Sequence, residues 1–240
     1  MYYRYYYHNN PANYSFLITE ETQRNVQYTF NMNGSIWESE SISIFFGLID
    51  PNKSYNIIDV GAQAGLYSLY AKFLPKSTFY SFEPFKETYN YLVDNLKINN
   101  ITNVNTYNIG LSDKKQDNVV FNTCISHNGL HTLANNVLRF NDIKQIYINI
   151  DTIDNLFFDK GIKADFIKID TEGHEYFILM GARKTIETYK PIIQIEYNIT
   201  NMQQSNISKD MIDNLISELN YKKINITGEE LIIAPYDYNI

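Results

Sequence analysis

Three places along the 240 residues bring glycines and acids together in patterns that could do chemistry. In NIIDVGAQAGLYSLYAKF (56–73) an apolar run stops at Asp59, and Gly61 and Gly65 follow it. Glu83 stands 24 residues after Asp59, behind a second apolar run. The third place is DFIKIDTEGHEYFILMGA (165–182), which holds Asp170, Glu172, His174 and Glu175, with Glu196 following in PIIQIEY (191–197). Glycines remove side chains where a backbone must come close to a ligand. Carboxylates and imidazoles accept hydrogen bonds from hydroxyls and take protons from them.

The first two places describe a ligand. A dinucleotide fingerprint requires G-x-G-x-x-G, whereas this turn reads Gly61-Ala62-Gln63-Ala64-Gly65 and lacks the glycine that would face a pyrophosphate. Asp59 would also set a negative charge against one. The pattern disfavours NAD and suits a ligand with a cationic end and no phosphates. A carboxylate at the end of the second strand of a doubly wound fold accepts hydrogen bonds from ribose hydroxyls, which is the position of Glu83. An ammonium beside the first turn and a ribose at the second strand describe S-adenosylmethionine. The bland reading of the same residues is a tight turn with two solvated acids.

The third place offers bases. Asp170 ends an apolar strand, and either Asp170 or His174 could take an acceptor's proton, with Glu172 beside them. Glu172 and Glu175 near a helix start are also favoured by its dipole without any chemistry. Glu196 could orient His174 or bond backbone. His127 and His131 are alternative bases in an irregular loop, and His8 belongs to the terminal stretch. Asp170, Glu172 and Glu196 could together hold a divalent metal through oxygen ligands, although spacing alone does not favour one.

These residues need strands to carry them. YNIID (55–59), STFYSF (77–82), VNTYNI (104–109), ADFIKID and PIIQIEY read as strands. Between them fall helical patterns: Leu66, Leu69, Tyr70 and Phe73; Phe85, Tyr89, Leu92 and Leu96 behind Pro84; a helix from Glu175 to Tyr189; and KDMIDNLISEL. Segment 112–150 breaks this rhythm with two strand-like runs, NVVFNTC and IKQIYINI, around irregular chain, and loops of that length often touch substrate. DTIDNLFF reads as a short helix. The end predicts a hairpin around Thr227-Gly228-Glu229. Residues 1–54 read as an N-terminal cap with a strand in YSFLIT and a helix through ESISIFFGLI, and residues 55–240 as one α/β domain. The opening MYYRYYYHNN reads as an interaction tail or a loosely docked terminus.

Composition narrows the classes. Twenty basic against 27 acidic side chains give a formal net charge of −7, and no basic stripe marks a nucleic-acid surface. A single cysteine, Cys124, allows no internal disulfide and agrees with a reducing compartment. No signal-peptide core or long apolar run is present, so a cytoplasmic protein without membrane contact is expected. Self-association as a homo-oligomer is left open.

Four stretches in order, IIDVGAQAGLYSLYA, FYSFEPFKETYNYLVDNLKIN, DFIKIDTEGHEYFILMGA and PIIQIEYN, closely resemble the FkbM family of S-adenosylmethionine-dependent methyltransferases. The resemblance covers about residues 55–198, and its most specific part is the E-G-H-E core after IKID. It implies a class I methyltransferase (Rossmann-like) fold, with a mostly parallel sheet and a C-terminal antiparallel hairpin. It implies O-methylation of hydroxyl groups, commonly on sugars or natural products. By position, Asp59, Gly61, Ala62, Gln63 and Gly65 would line the methionine end, together with Asp170. Glu83 and Pro84 would meet the ribose, and Asn108, Gly110 and Leu111 would border the adenine. Glu38 is a looser match toward the cofactor. Two rival readings stand beside it. Ribose methylation of RNA uses a Lys-Asp-Lys-Glu set that Asp170, Lys184 and Glu196 mimic in part. A cofactor-binding or interaction module would bind without catalysis.

Overall fold

The computed structural model describes residues 2–6, 15–25, 39–124, 131–133 and 143–239. The chain opens with β1 (Tyr2–Tyr6), β2 (Ser15–Thr19), α1 (Glu20–Asn25) and α2 (Ser39–Gly47), then enters the first sheet strand, β3 (Asn56–Val60). There follow β4 (Thr78–Phe82), α3 (Lys86–Ile98), β5 (Val104–Tyr107), β6 (Gly110–Leu111), β7 (Gln116–Cys124), β8 (Ile143–Asp151) and α4 (Ile153–Leu156). The second half runs through β9 (Phe166–Ile169), α5 (Glu175–Met180), α6 (Arg183–Tyr189) and β10 (Ile192–Glu196). It ends with α7 (Ile199–Gln204), α8 (Lys209–Glu218), β11 (Tyr221–Thr227) and β12 (Glu230–Pro235).

Seven strands form the main sheet in the order β5-β4-β3-β9-β10-β12-β11. The five from β5 to β10 are parallel, and the β11–β12 hairpin adds antiparallel to β10. The strands are short and apolar because both faces are covered. Ile57, Phe79, Phe166 and Ile192 point to one face, where they meet Leu69, Leu92, Leu96 and the N-terminal residues Phe16, Ile18, Ile42 and Phe45. Ile58, Val60, Ile167, Ile169, Ile193 and Ile195 point to the other and pack on α5, α6 and α8 through Ile178, Ile186 and Ile212. Each such aliphatic side chain, once buried, contributes about 1.5–3 kcal/mol. The N-terminal segment therefore shares the core of the sheet. A smaller sheet, β6-β8-β7, stands beside it and is built from the segment that broke the sequence rhythm.

On the first face the apolar pattern stops one residue pair from the carboxyl edge. Thr106, Ser81, Asp59, Lys168 and Gln194 are register partners across five adjacent strands, so they form one polar row through the sheet. The row crosses β3 at Asp59, two residues before Gly61.

Strand β2 is held by amides at the carboxyl end of α3, Asn95 within it and Asn99 just after it. Asn99 accepts from the Leu17 N–H at 2.8 Å and donates to its carbonyl at 2.7 Å. Asn95, one helical turn earlier, accepts from the Thr19 N–H at 3.1 Å and donates to the Ala64 carbonyl at 2.9 Å.

Three local expectations need correction, and one element lay outside them. The pattern Leu66, Leu69, Tyr70 and Phe73 belongs to turns followed by a 3-10 helix over Ser68–Phe73, not to an α-helix. The helix expected over 175–189 is broken into α5 and α6 at Gly181, where the chain lies against the Ser112 backbone so closely that a Cβ would overlap it. Five residues of the tyrosine-rich opening are ordered as β1, paired antiparallel with β2. Helix α7, between β10 and α8, was not foreseen.

Candidate functional site

The strand order reverses at β3, whose following strand β4 lies on one side and whose other neighbour is the later β9. Ligands of open α/β sheets bind beyond the carboxyl ends at such a switch point. Gly61, Glu83, Asp170 and Glu196 all stand at that edge.

The turn after β3 bends toward β4, with the N–H groups of Gly61 and Ala62 both donating to the Phe82 carbonyl at 3.0 Å. Gly61 has φ +76°, and a Cβ there would collide with the Asp170 carbonyl. A side chain is thus excluded both by conformation and by the end of β9. Gly65 packs against Leu92 of α3 and closes the turn through its N–H to the Ala62 carbonyl at 2.8 Å.

Asp59 is 1% exposed. Its Oδ2 accepts from the Ser68 hydroxyl at 2.6 Å, and Ser68 is itself 2.7 Å from the Ser81 hydroxyl. Its Oδ1 lies 3.8 Å from the Lys168 ammonium, which is 3.2 Å from Asp170 Oδ2 and donates to the Gly61 carbonyl at 3.2 Å. Burial pushes the Asp59 carboxyl up, and Lys168 opposes the shift. The carboxylate that reaches the opening from this ion-paired group is Asp170, whose side chain is 27% exposed. Sequence reasoning missed Lys168. Its signal was a lysine inside an otherwise apolar central strand, which is stable only if its charge is paired.

Glu83 is not the solvated acid of the bland reading. It is buried, and Oε1 accepts from the Phe85 N–H and the Thr88 hydroxyl, both at 2.9 Å, while Oε2 accepts from the Gln63 N–H at 2.9 Å. An ionised carboxylate has about four acceptor sites, so one on Oε2 is left over. Burial raises the Glu83 carboxyl to about 7 against these hydrogen bonds. Gln63 adopts φ +49° in making its bond. Pro84 is half-buried beside them, and the exposed Asn108 donates to the carbonyls of Glu83 and Pro84, both at 2.9 Å. Gly110 and Leu111 are buried in β6, with Gly110 facing Ile148, Ile150 and Pro84.

The chain after β9 folds around Glu175, which is fully buried. Its Oε1 accepts from the Thr171 N–H at 2.8 Å, the Thr171 hydroxyl at 2.9 Å and the Gly173 N–H at 3.3 Å. That role is structural. Glu172 adopts φ +56°, and its Oε2 accepts from the Asn201 amide at 2.7 Å. The same amide donates to Glu196 Oε1 at 2.8 Å. Gly173 lies so close to the Asn201 carbonyl that a Cβ would overlap it. Asn201 thereby ties Glu172 to Glu196, and Asp170 lies close to both, whereas Glu196 does not meet His174 through any described hydrogen bond.

His174 stacks on Phe177 with ring centroids 4.8 Å apart, and its Nε2 lies 2.9 Å from the Ser112 hydroxyl. Burial lowers its pKa to about 4, with Asp113 opposing. His174 is committed to Ser112 and Phe177, whereas Asp170 reaches the opening, so Asp170 is the better placed of the two. His131 packs edge-on to Phe85 at 4.5 Å, its Nδ1 accepts from the Cys124 N–H at 3.2 Å, and burial lowers it to about 4. Lys184 is exposed on α6 with its ammonium 5.6 Å over the Phe158 ring, so it does not join Asp170 and Glu196 as the RNA-type set requires. Glu38, His8 and His127 lie outside the described residues.

Among the described residues no helix is long and apolar enough to cross a membrane. No curated protein sequence matches the chain. Among solved structures, methyltransferase FkbM from Methylobacillus flagellatus KT superposes with a TM-score of 0.54 at 20% identity, covering 80% of this chain and 47% of that one. The present chain thus spans about half the length of that relative. A Staphylococcus aureus protein provisionally assigned as a caffeoyl-CoA O-methyltransferase gives a TM-score of 0.52 at 14% identity, over 90% of this chain and 91% of the other. These likenesses show the fold, a class I methyltransferase sheet. The methyltransferase FkbM domain matches residues 59–223. That span runs from Asp59 through the glycine turn, Glu83, Asp170 and Glu196, and the chain belongs to the FkbM family of S-adenosylmethionine-dependent methyltransferases.

Proposed function

We propose that the chain transfers a methyl group from S-adenosylmethionine to a hydroxyl of a sugar, a glycan or a related small molecule. The observation that carries this reading is the meeting of the glycine turn and the acid group of β9 at one edge, with Asp170 open between them. The described residues suit the cofactor: the turn offers no pyrophosphate seat, and Glu83 keeps one acceptor site for a ribose hydroxyl. The bound cofactor supplies a methyl activated by its sulfonium, whose C–S electron pair stays on sulfur as the new O–C bond forms. The protein has to hold the acceptor in line and remove its proton. Asp170 takes that proton in this reading, and Lys168 positions its carboxylate. The hydroxyl acceptor is supported by this base, and the carbohydrate class by the family resemblance.

The test is incubation of the full chain with S-adenosylmethionine and separate panels of sugars, glycans, phenols and RNA, followed by mass spectrometry. A product heavier by one methylene unit is expected in the carbohydrate panels. Transfer to RNA alone would overturn the acceptor, and transfer to none by a chain that binds the cofactor would favour a binding module.

Binding should depend on pH through Glu83. Ribose hydroxyls donate to its ionised form, so the proton that Glu83 holds below about 7 must leave first. Affinity for S-adenosylhomocysteine should therefore be about tenfold weaker at pH 6 than at pH 8. The sign for stability is opposite. The folded chain binds this proton more tightly than the unfolded one, so this group's contribution falls as pH rises from the ordinary carboxylate range through about 7. Titration calorimetry at the two pH values checks the first effect, and a flat profile would remove Glu83 from the ribose site.

A further inference from the structure

We propose that Asp170, Glu172 and Glu196 form a binding site for one hard divalent cation, such as Mg²⁺, Mn²⁺ or Ca²⁺. One carboxylate oxygen from each lies within 4.8 Å of the others. Opposite ligands of a cation stand about 4.2 Å apart for Mg²⁺ and about 4.6–5.2 Å for Ca²⁺, twice their oxygen distances. Separations of no more than 4.8 Å lie within the span of ligands shared by one such ion. All three donors are carboxylate oxygens, which select hard cations over zinc or copper.

Three acids close together are not by themselves a site, but Glu196 adds an independent observation. It is 7% exposed, and its Oε2 has no hydrogen-bond partner. Its other oxygen is held by Asn201, whose amide also holds Glu172 and so fixes two of the three acids relative to each other. Hydrogen-bonded carboxylates of this kind support metal ligands. Glu196 is buried, and the charged groups acting most strongly on it are all acids, Glu175, Glu172, Asp170 and Glu230, so negative charge is crowded there. The nearby ammonium, Lys168, is spent on Asp59 and Asp170. A divalent ion would satisfy the orphaned oxygen and offset the crowded negative charge. Under the methyl-transfer reading it would also polarise the acceptor oxygen as a Lewis acid, in addition to the proton removal assigned to Asp170.

The probe is Mn²⁺ alone, titrated into the full chain and followed by the electron paramagnetic resonance signal of the free ion, with Mg²⁺ and Ca²⁺ as competitors. One site per chain is expected. Glu196→Gln and Glu172→Gln should each weaken it at least tenfold, Asn201→Ala about 10–100-fold, and Asp117→Asn, an exposed acid of β7, should leave it unchanged. Circular dichroism confirms that each variant is folded. No uptake of Mn²⁺ by the folded chain, or uptake that Glu196→Gln and Glu172→Gln both leave unchanged, would overturn the site. A chain that binds S-adenosylhomocysteine but not Mn²⁺ overturns this inference and leaves the methyl-transfer reading intact. Uptake of Mn²⁺ without methyl transfer does the reverse.

Discussion

Gly61→Ala should lower the melting temperature by about 6–20 °C and abolish stabilisation by S-adenosylhomocysteine. The left-handed backbone at φ +76° costs a non-glycine residue about 1–2 kcal/mol. The added methyl then meets the carbonyl of Asp170, which cannot retreat freely. Asp170 donates its own N–H to the Val60 carbonyl at 3.1 Å, and the strands on either side are in parallel register. Relief would require parting β3 from β9 at the edge where the ligand binds. A total of about 3–5 kcal/mol is the scale of a severe single substitution, and for a chain of this size it corresponds to about 6–20 °C. Gly228→Ala is the control, since it has φ +61° but nothing within 4 Å of an added Cβ. It should cost only the conformational part. Thermal melts of both variants with and without ligand check this, and equal melting temperatures would show that close approach at Gly61 is unimportant.

Asp170→Asn should lower turnover by about 10²-fold or more, the ordinary size of a lost general base, while His174→Ala should stay within about tenfold. Asparagine keeps the shape and can still face Lys168, but it cannot accept a proton at neutral pH. His174 is committed to Ser112 and Phe177 and is held near 4, so its loss should act through packing of the turn. Rates are to be measured with the acceptor found in the panel assay, at saturating cofactor so that binding defects are separated from chemistry. The opposite ranking would move the base to His174.

Much of this site could be read from residue order, because its parts are local. Asp59-Val60-Gly61, Glu83 and Asp170 each end an apolar run, and an apolar run that stops at an acid is visible without knowing its neighbours. What escaped was set by partners distant in sequence. Glu83 was read as a ribose acceptor, yet beside its local donors Phe85 and Thr88 it also takes the Gln63 N–H, which reaches it only once the two turns are adjacent. Lys168 was passed over inside an apolar strand, because its role depends on β3 placing Asp59 beside it. The break between α5 and α6 depends on Ser112, far earlier in the chain, pressing on Gly181. The 3-10 segment after the glycine turn keeps the apolar spacing of an α-helix, so periodicity could not tell them apart.

The two asparagines at the carboxyl end of α3 have a consequence for how the molecule opens. Asn99 gives β2 the donor and acceptor that a neighbouring strand would give, and Asn95 ties Thr19 and the Ala64 carbonyl to one side chain. Local unfolding proceeds in cooperative units whose members share hydrogen bonds. Detaching β2 would leave the buried Asn95 and Asn99 amides short of partners, and loosening the glycine turn would do the same from the other side. The amino-terminal hairpin and the cofactor turn, though far apart in sequence, are therefore members of one opening unit, and whatever slows the breathing of one slows that of the other.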